Sequence, residues 1–359
     1  MSKVLWRYLA SEILAATLLV LVAFLGLFAF FDFINELEDI GKQGYELHHA
    51  AIFILMTLPS RVYELMPIAV LIGTLYALTT LARHSEITVM RASGLSNVAL
   101  LRILALIGVG FALLTFVVGE YLAPPAERAA QQWRLTATSA TVSQQLRSGL
   151  WVKDGPRFVN VRTVRPDRSM ENIRIFEFDE EMAMRTVSVA ERGTYDPALR
   201  GWRLRSVQQT LFGDDVTTVV EQAEIVWRSD LTPEVLSVLM VSPERMSVAA
   251  LYAYIRHLHE NRQSAERFEI ALWKKVVYPF AALVMMALAL PFAFMHDRMG
   301  AVSVKVFFGI MLGVGFHLLN GLFSNLGVIN AWPPIVAAFT PSVIFLVAAG
   351  TLLYIVDRR

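Results

Sequence analysis

Ile13 to Phe31 reads ILAATLLVLVAFLGLFAFF, nineteen residues without a charge. A bilayer core about 30 Å thick is crossed by roughly 20 mostly apolar helical residues, so this run is long enough to span one. It is not a cleaved signal peptide, because its apolar region is too long and Asp32 to Asp39 offers no small-residue cleavage site.

The same reading extends outward. A second apolar run begins near Ala51 and continues to Leu81, interrupted by Arg61 and Glu64; a third runs from about Ile103 to Gly119 and closes at Pro124-Pro125. The pattern then stops, resumes from Val276 to Met295, and ends in an almost uncharged stretch from Val306 to Val356. That stretch is long enough for two spans folded at NAWPP, Asn330 to Pro334. The expectation is an α-helical membrane protein of six spans, three on each side of an insert, with boundaries at 1–122, 123–266 and 267–359. Composition agrees: of 359 residues 55% are hydrophobic, too apolar for an ordinary soluble domain. A net charge of +1 and no long basic run argue against nucleic acid as a partner. Cysteine is absent, which excludes disulfides and thiolate metal sites but is silent on the redox compartment.

Basic residues set the orientation, since Lys and Arg accumulate in short cytoplasmic loops. Lys3 and Arg7 precede the first span, Arg83, Arg91 and Arg102 follow the second, Arg298 and Lys305 follow the fourth, and Arg358 and Arg359 end the chain. The loop after the first span is acidic instead, with Glu36, Glu38, Asp39 and Glu46 against Lys42. Both termini are therefore expected in the cytoplasm and the insert on the far side. The insert alternates apolar and polar residues at Arg157 to Val164, Ile173 to Phe178 and Trp202 to Val207, with turns at Lys153-Asp154-Gly155 and Phe212-Gly213-Asp214. Short strands at this spacing point to a sandwich or an open barrel, serving either as a spacer or as a carrier for lipid, with Ser247 to Arg267 turning helical on the way back.

Between spans two and three lies LARHSEITVMRASGLSNVAL, residues 81–100. Ser85 sits at an N-cap position, Glu86 in a first turn where the helix dipole favours an acid, and Gly94 where the helix would end, giving a short helix over about 84–95. Ile87 and Met90 share a face flanked by Glu86 and Arg91. Two readings fit: a solvated interfacial helix, or a coupling helix that seats on a soluble motor through Ser85, Glu86, Ile87, Met90 and Arg91. No GxxxxGK followed by Ser or Thr occurs, so any ATP is hydrolysed by another chain.

This segment, with LPSRVYELMPIAVLIG (Leu58 to Gly73), GLWVKDG (Gly149 to Gly155) and IALWKKVVYP (Ile270 to Pro279), resembles the LptF/LptG family of lipopolysaccharide export permeases over essentially the whole chain. The resemblance implies an LptF-type sister permease, an LptB-type ATPase dimer that uses ATP and Mg, and passage of lipopolysaccharide from the bacterial inner membrane to an LptC-type and then LptA-type bridge. It implies that the insert is a periplasmic β-jellyroll, and that this chain binds no cofactor. Phosphate groups of such a lipid suit Arg and Lys donors. Arg61 in span two, Arg134 just beyond span three, and Lys274 and Lys275 at the start of span four are the lipid-binding candidates. Arg61 also has Glu64 three residues away, so it pairs with that acid, with lipid, or with both. One departure stands out: the family tends to be basic at the outer end of span one, whereas here Phe31 to Asp39 reads FDFINELED. Cation bridging, relocation of the phosphate site, or a different lipid would each account for it.

Gly309, Gly313, His317 and Gly321 recur every four residues and are expected to pack a neighbouring helix. His257 and His259 have no third ligand by spacing, so no metal site is expected. The rival functions are a permease subunit for another amphiphile, such as a lipoprotein or hydrophobic drug, and a membrane scaffold; an enzyme lacks a nucleophile–base pair or ligand cluster. Six spans split three and three argue against the first rival, and a motor-docking helix against the second. In this cysteine-free background, single cysteines at Ser96, Met299 and Arg359 are expected to resist a membrane-impermeant thiol reagent in spheroplasts, while those at Gln43 and Ser169 react. Outside labelling at Ser96 would reverse the orientation.

Overall fold

The computed structural model describes residues 3–41, 44–94, 96–137, 149–165, 169–179, 181, 183–199, 201–213, 216–229, 232–233, 242–294 and 302–357. Lys42, Asp214, Met295, Arg298, Arg358 and Arg359, used above for turns, a span end and orientation, lie outside them, as do the label sites Gln43, Met299 and Arg359. In chain order come α1 (Lys3–Leu37), α2 (Leu47–Arg83), α3 (Glu86–Ala92), α4 (Asn97–Val117), a π-helical turn (Val118–Leu122) and α5 (Ala123–Ala137). There follow β1 (Leu150–Asp154), β2 (Arg157–Val164), β3 (Met170–Phe178), β4 (Met184–Asp196), β5 (Gly201–Phe212) and β6 (Thr217–Arg228). The last described helices are α6 (Val248–Glu260), α7 (Glu266–Phe294), α8 (Val302–Ile329) and α9 (Pro334–Asp357).

Among the described residues six helices are long and apolar enough to cross a membrane. The third of them differs from its expected end, because the chain stays helical through Pro124-Pro125 to Ala137. Two prolines supply no N–H to the preceding turn, and the ladder widens there: the Ala123 N–H reaches Val118 O, five residues back. Pro124 and Pro125 then follow at the start of α5.

Contacts divide the chain into two units: Met1–Asp32, Thr57–Ala126 and Glu266–Arg359 in one, and Phe33–Met56 with Glu127–Ala265 in the other. In the first, α2 is the most buried of the long helices and α7 the next, whereas α1, α8 and α9 leave most of their apolar residues exposed. α2 is apolar around its circumference and meets neighbours on more than one side. Met66, Ala69 and Leu78 join a cluster with Leu9, Ile13, Ile103, Leu104 and Met286, while Leu71 and Leu75 join another with Met285, Phe316 and Phe345. Gly73 lets α1 come close, since a Cβ there would lie 2.5 Å from the Thr17 backbone.

In the second unit the six strands form one antiparallel sheet in the order β1-β2-β3-β4-β5-β6, where the sequence reading allowed a sandwich or an open barrel. A crease crosses it. Pairing runs on both sides of Arg162, Asn172, Glu191, Ser206 and Ala223 but skips all five, which are in register with one another. Asn172 and Ser206 adopt φ of 51° and 54°, and inward side chains there step by three residues instead of two: Ile173 to Met170, Ala190 to Gly193, Val207 to Leu204. Both sides thus feed one core with Trp202 and Trp227. At the inside of the crease Gly193 packs closely, since a Cβ would lie 2.7 Å from the Ile173 Cδ1 methyl and 2.9 Å from the Leu204 Cδ2 methyl, which would have to shift. Ser169, expected above to react, is buried, so exposed Gln208 is the better label site on this unit.

A left-handed conformation costs an ordinary residue about 1–2 kcal/mol and a β-branched one more. Ser206→Gly is therefore expected to keep or raise the protease resistance of the sheet in the purified protein, and Ser206→Val to lower it. Equal resistance of the two variants would contradict the crease.

Candidate functional site

Arg61 lies about four turns into α2 and is held on three sides. Its Nε and Nη2 donate to the two oxygens of Asp32 at 3.0 and 2.6 Å, its Nη1 donates to Glu64 at 3.0 Å, and its guanidinium stands 5.6 Å from the Phe28 ring centroid. A guanidinium in a membrane span is tolerated when it is paired, and the planar fork matches a carboxylate. Glu64 was legible from its spacing; Asp32 was not, because it comes from the end of α1, 29 residues away. The available signal was an acid at the end of one apolar run and a base within the next.

Arg134, in the second unit, repeats the motif. Its Nη2 lies 2.6 Å from Asp39 and 3.5 Å from Glu36, and its guanidinium is 5.4 Å from the Phe53 centroid. The buried Tyr45 hydroxyl donates to Glu36 at 2.9 Å; burial, with that carboxylate beside it, pushes the phenol's pKa up. Tyr45 stacks on His49, and Trp133 donates through Nε1 to His49 O at 3.2 Å, so the loop after α1 is clasped to α5. Three of the acids that set this chain apart, Asp32, Glu36 and Asp39, are thus occupied by arginines of the same chain; Glu38 is exposed.

Lys275 is placed differently. It is buried, with its ammonium 5.0 Å from the Tyr63 ring centroid, and Tyr63 packs on Tyr278, whose hydroxyl donates to Glu64 O. Lys274 is half-buried. Arg61 and Lys275 therefore share the first unit, both adjoining Glu64 through direct or aromatic contacts, while Arg134 belongs to the second.

The short helix forms where expected, with corrections to its chemistry. Ser85 occupies the N-cap position at φ 60°, and its hydroxyl makes no cap bond among the described residues. Ile87 is buried and Met90 half-buried in the cluster that holds Leu9, Leu81, Leu100 and Leu104, so this pair does not form the presented face. A two-turn amphipathic helix must bury its apolar side on its own bundle before it can offer anything else. Val89 and Arg91 are exposed, and Glu86 accepts a hydrogen bond from Tyr8 Oη at 2.7 Å. Nothing in the spacing of Tyr8 and Glu86 announced that contact.

The glycine stripe is half right. Gly309 and Gly313 sit against α2, where a Cβ would lie 3.4 Å from Leu75 and 2.8 Å from Ile68. His317 and Gly321 are exposed, and a Cβ at Gly321 would meet no described atom within 4 Å. Each step of four residues turns a helix about 40° past a full circle, so the stripe leaves the interface by roughly 120° over three steps. His257 is buried against Tyr254 and the Asn261 side chain, and no group of three metal-binding side chains occurs among the described residues.

The family model described as lipopolysaccharide export system permease LptF/LptG matches residues 7–355. The chain belongs to that family. It is 32% identical to the lipopolysaccharide export system permease protein LptG of Haemophilus influenzae over 354 residues, 98% of this chain and 99% of that protein. It is 31% identical to the protein of the same name from Escherichia coli K12 over 351 residues, 98% of each. Family membership and six apolar helices make this a multi-pass inner-membrane protein and a transport subunit for lipopolysaccharide export.

Proposed function

We propose that the chain is the LptG-type permease half of an ATP-driven exporter, paired with an LptF-type sister and powered by an LptB-type ATPase dimer that binds ATP and Mg. In this reading both termini and α3 face the cytoplasm, and the sheet unit is a periplasmic jellyroll that leads toward LptC-type and LptA-type proteins. The observation that carries it is the match across residues 7–355, which spans both the helices and the sheet. The exposed apolar sides of α1, α8 and α9 accord with cover from a sister permease and from lipid. A permease for another amphiphile is the weaker reading.

The physics of the cargo sets the task. Exposing lipid chains to water costs about 0.8 kcal/mol per CH₂, so a lipid with several chains cannot cross water unaided. Apolar cover and phosphate ligands must be offered together. Arg61 and Arg134 serve as those ligands by partner exchange: Arg61 already forks onto the Asp32 carboxylate and Arg134 already faces the carboxylates of Asp39 and Glu36, and phosphate oxygens suit the same donors. On α3, Glu86 makes a charge-assisted contact to a basic residue of the ATPase, with exposed Val89 about one turn along on the same side and exposed Arg91 on another.

Photo-crosslinking residues placed at Arg61 and Arg134 are expected to capture lipopolysaccharide in cells, with a weaker adduct at Lys275, whose ammonium is buried over Tyr63. Adducts to lipid from Glu38 alone would overturn the assignment of the arginines, and adducts to a different amphiphile would favour the rival cargo.

A further inference from the structure

We infer that Tyr8 is a positioning residue for the motor-docking helix: its hydroxyl holds one oxygen of Glu86 and leaves the other for a basic residue of the ATPase. The inference rests on the docking role proposed for Glu86. The geometry is specific. Tyr8 Oη lies 2.7 Å from Glu86 Oε2, joining the first turns of α1 to the first residue of α3, which stands 78 residues later in the chain.

Three features give that bond a purpose beyond surface decoration. First, α3 has only seven residues and its N-cap serine supplies no cap bond among the described residues, so little within the helix itself orients the Glu86 side chain. A free glutamate on such a helix samples several rotamers, and a partner that binds one of them pays for the loss of the rest. Second, Leu5, Trp6 and Leu9 of α1 pack in the same cluster as Ile87 and Met90 of α3, so the hydroxyl and the carboxylate are carried by elements joined in one core. Third, at 2.7 Å the bond is of full length for an O–H donor and ties Glu86 directly to α1, a helix otherwise largely exposed to its surroundings.

The test is a double-mutant cycle on the full transporter, with the LptB-type ATPase titrated onto the membrane subunits and its dissociation constant, KM for ATP and kcat recorded. Tyr8→Phe keeps the ring and removes only the donor. It is expected to weaken ATPase binding by about three- to tenfold with KM for ATP unchanged, and to have less than about a twofold effect once Glu86→Ala is present. Parental affinity in Tyr8→Phe, or a loss of equal size in both backgrounds, would overturn the positioning role and leave a merely structural contact. If Glu86→Ala alone binds the ATPase as tightly as the parent, the docking contact itself fails and Tyr8 has nothing to position.

Discussion

The fork between Arg61 and Asp32 is the interaction around which the membrane unit is arranged. Helices in lipid gain little from burying one apolar surface on another, so close approach and polar contacts decide which ones stay together. For α1 the point is acute, because most of its apolar residues are exposed. It is held near its start by Tyr8 on Glu86, along its length by Gly73 against Thr17, and near its end by the bidentate grip of Arg61 on Asp32. Removing the carboxylate would leave a guanidinium at membrane depth with Glu64 alone beside it, a costly state for a partly buried charge.

The same fork gives sense to the acidic stretch after the first span. A transporter for a polyanionic lipid has a reason to avoid carboxylates on its path, yet Asp32, Glu36 and Asp39 do not present bare charge: each is engaged by Arg61 or Arg134. In the proposed cycle a phosphate takes the place of a carboxylate on the same guanidinium, so the arginine is never left without an anion and the cargo meets a site already shaped for two oxygens. That exchange would also loosen the end of α1, while its start remains tied to α3.

Much of this was legible in the chain. Charge-free runs located the spans, since a bilayer admits few other structures, and alternation in residues such as Arg157 to Val164 and Trp202 to Val207 announced the strands. What escaped depended on partners distant in sequence or on small angular errors. Asp32 and Tyr8 lie 29 and 78 residues from the side chains they hold. The diproline read as a stop because its cost was assigned to a regular helix, whereas a π turn absorbs it. Gly321 and His317 read as packing residues because a four-residue repeat looks straight on paper and drifts on a helix. The crease in the sheet rests on left-handed Asn172 and Ser206, each a single residue inside an otherwise extended run, so no repeating pattern marked it.

The most direct test of the account is charge exchange across the fork, read out as lipopolysaccharide released from proteoliposomes by the full transporter with ATP. Asp32→Arg and Arg61→Asp, made singly, each leave like charges facing one another and are predicted to reduce release strongly. Combined, they restore an opposite pair, with Glu64 still within reach of the relocated guanidinium, and are predicted to recover a large part of it. Single variants that release lipid at the parental rate, or a double variant no better than the worse single one, would contradict the claim that this pair organises the membrane unit.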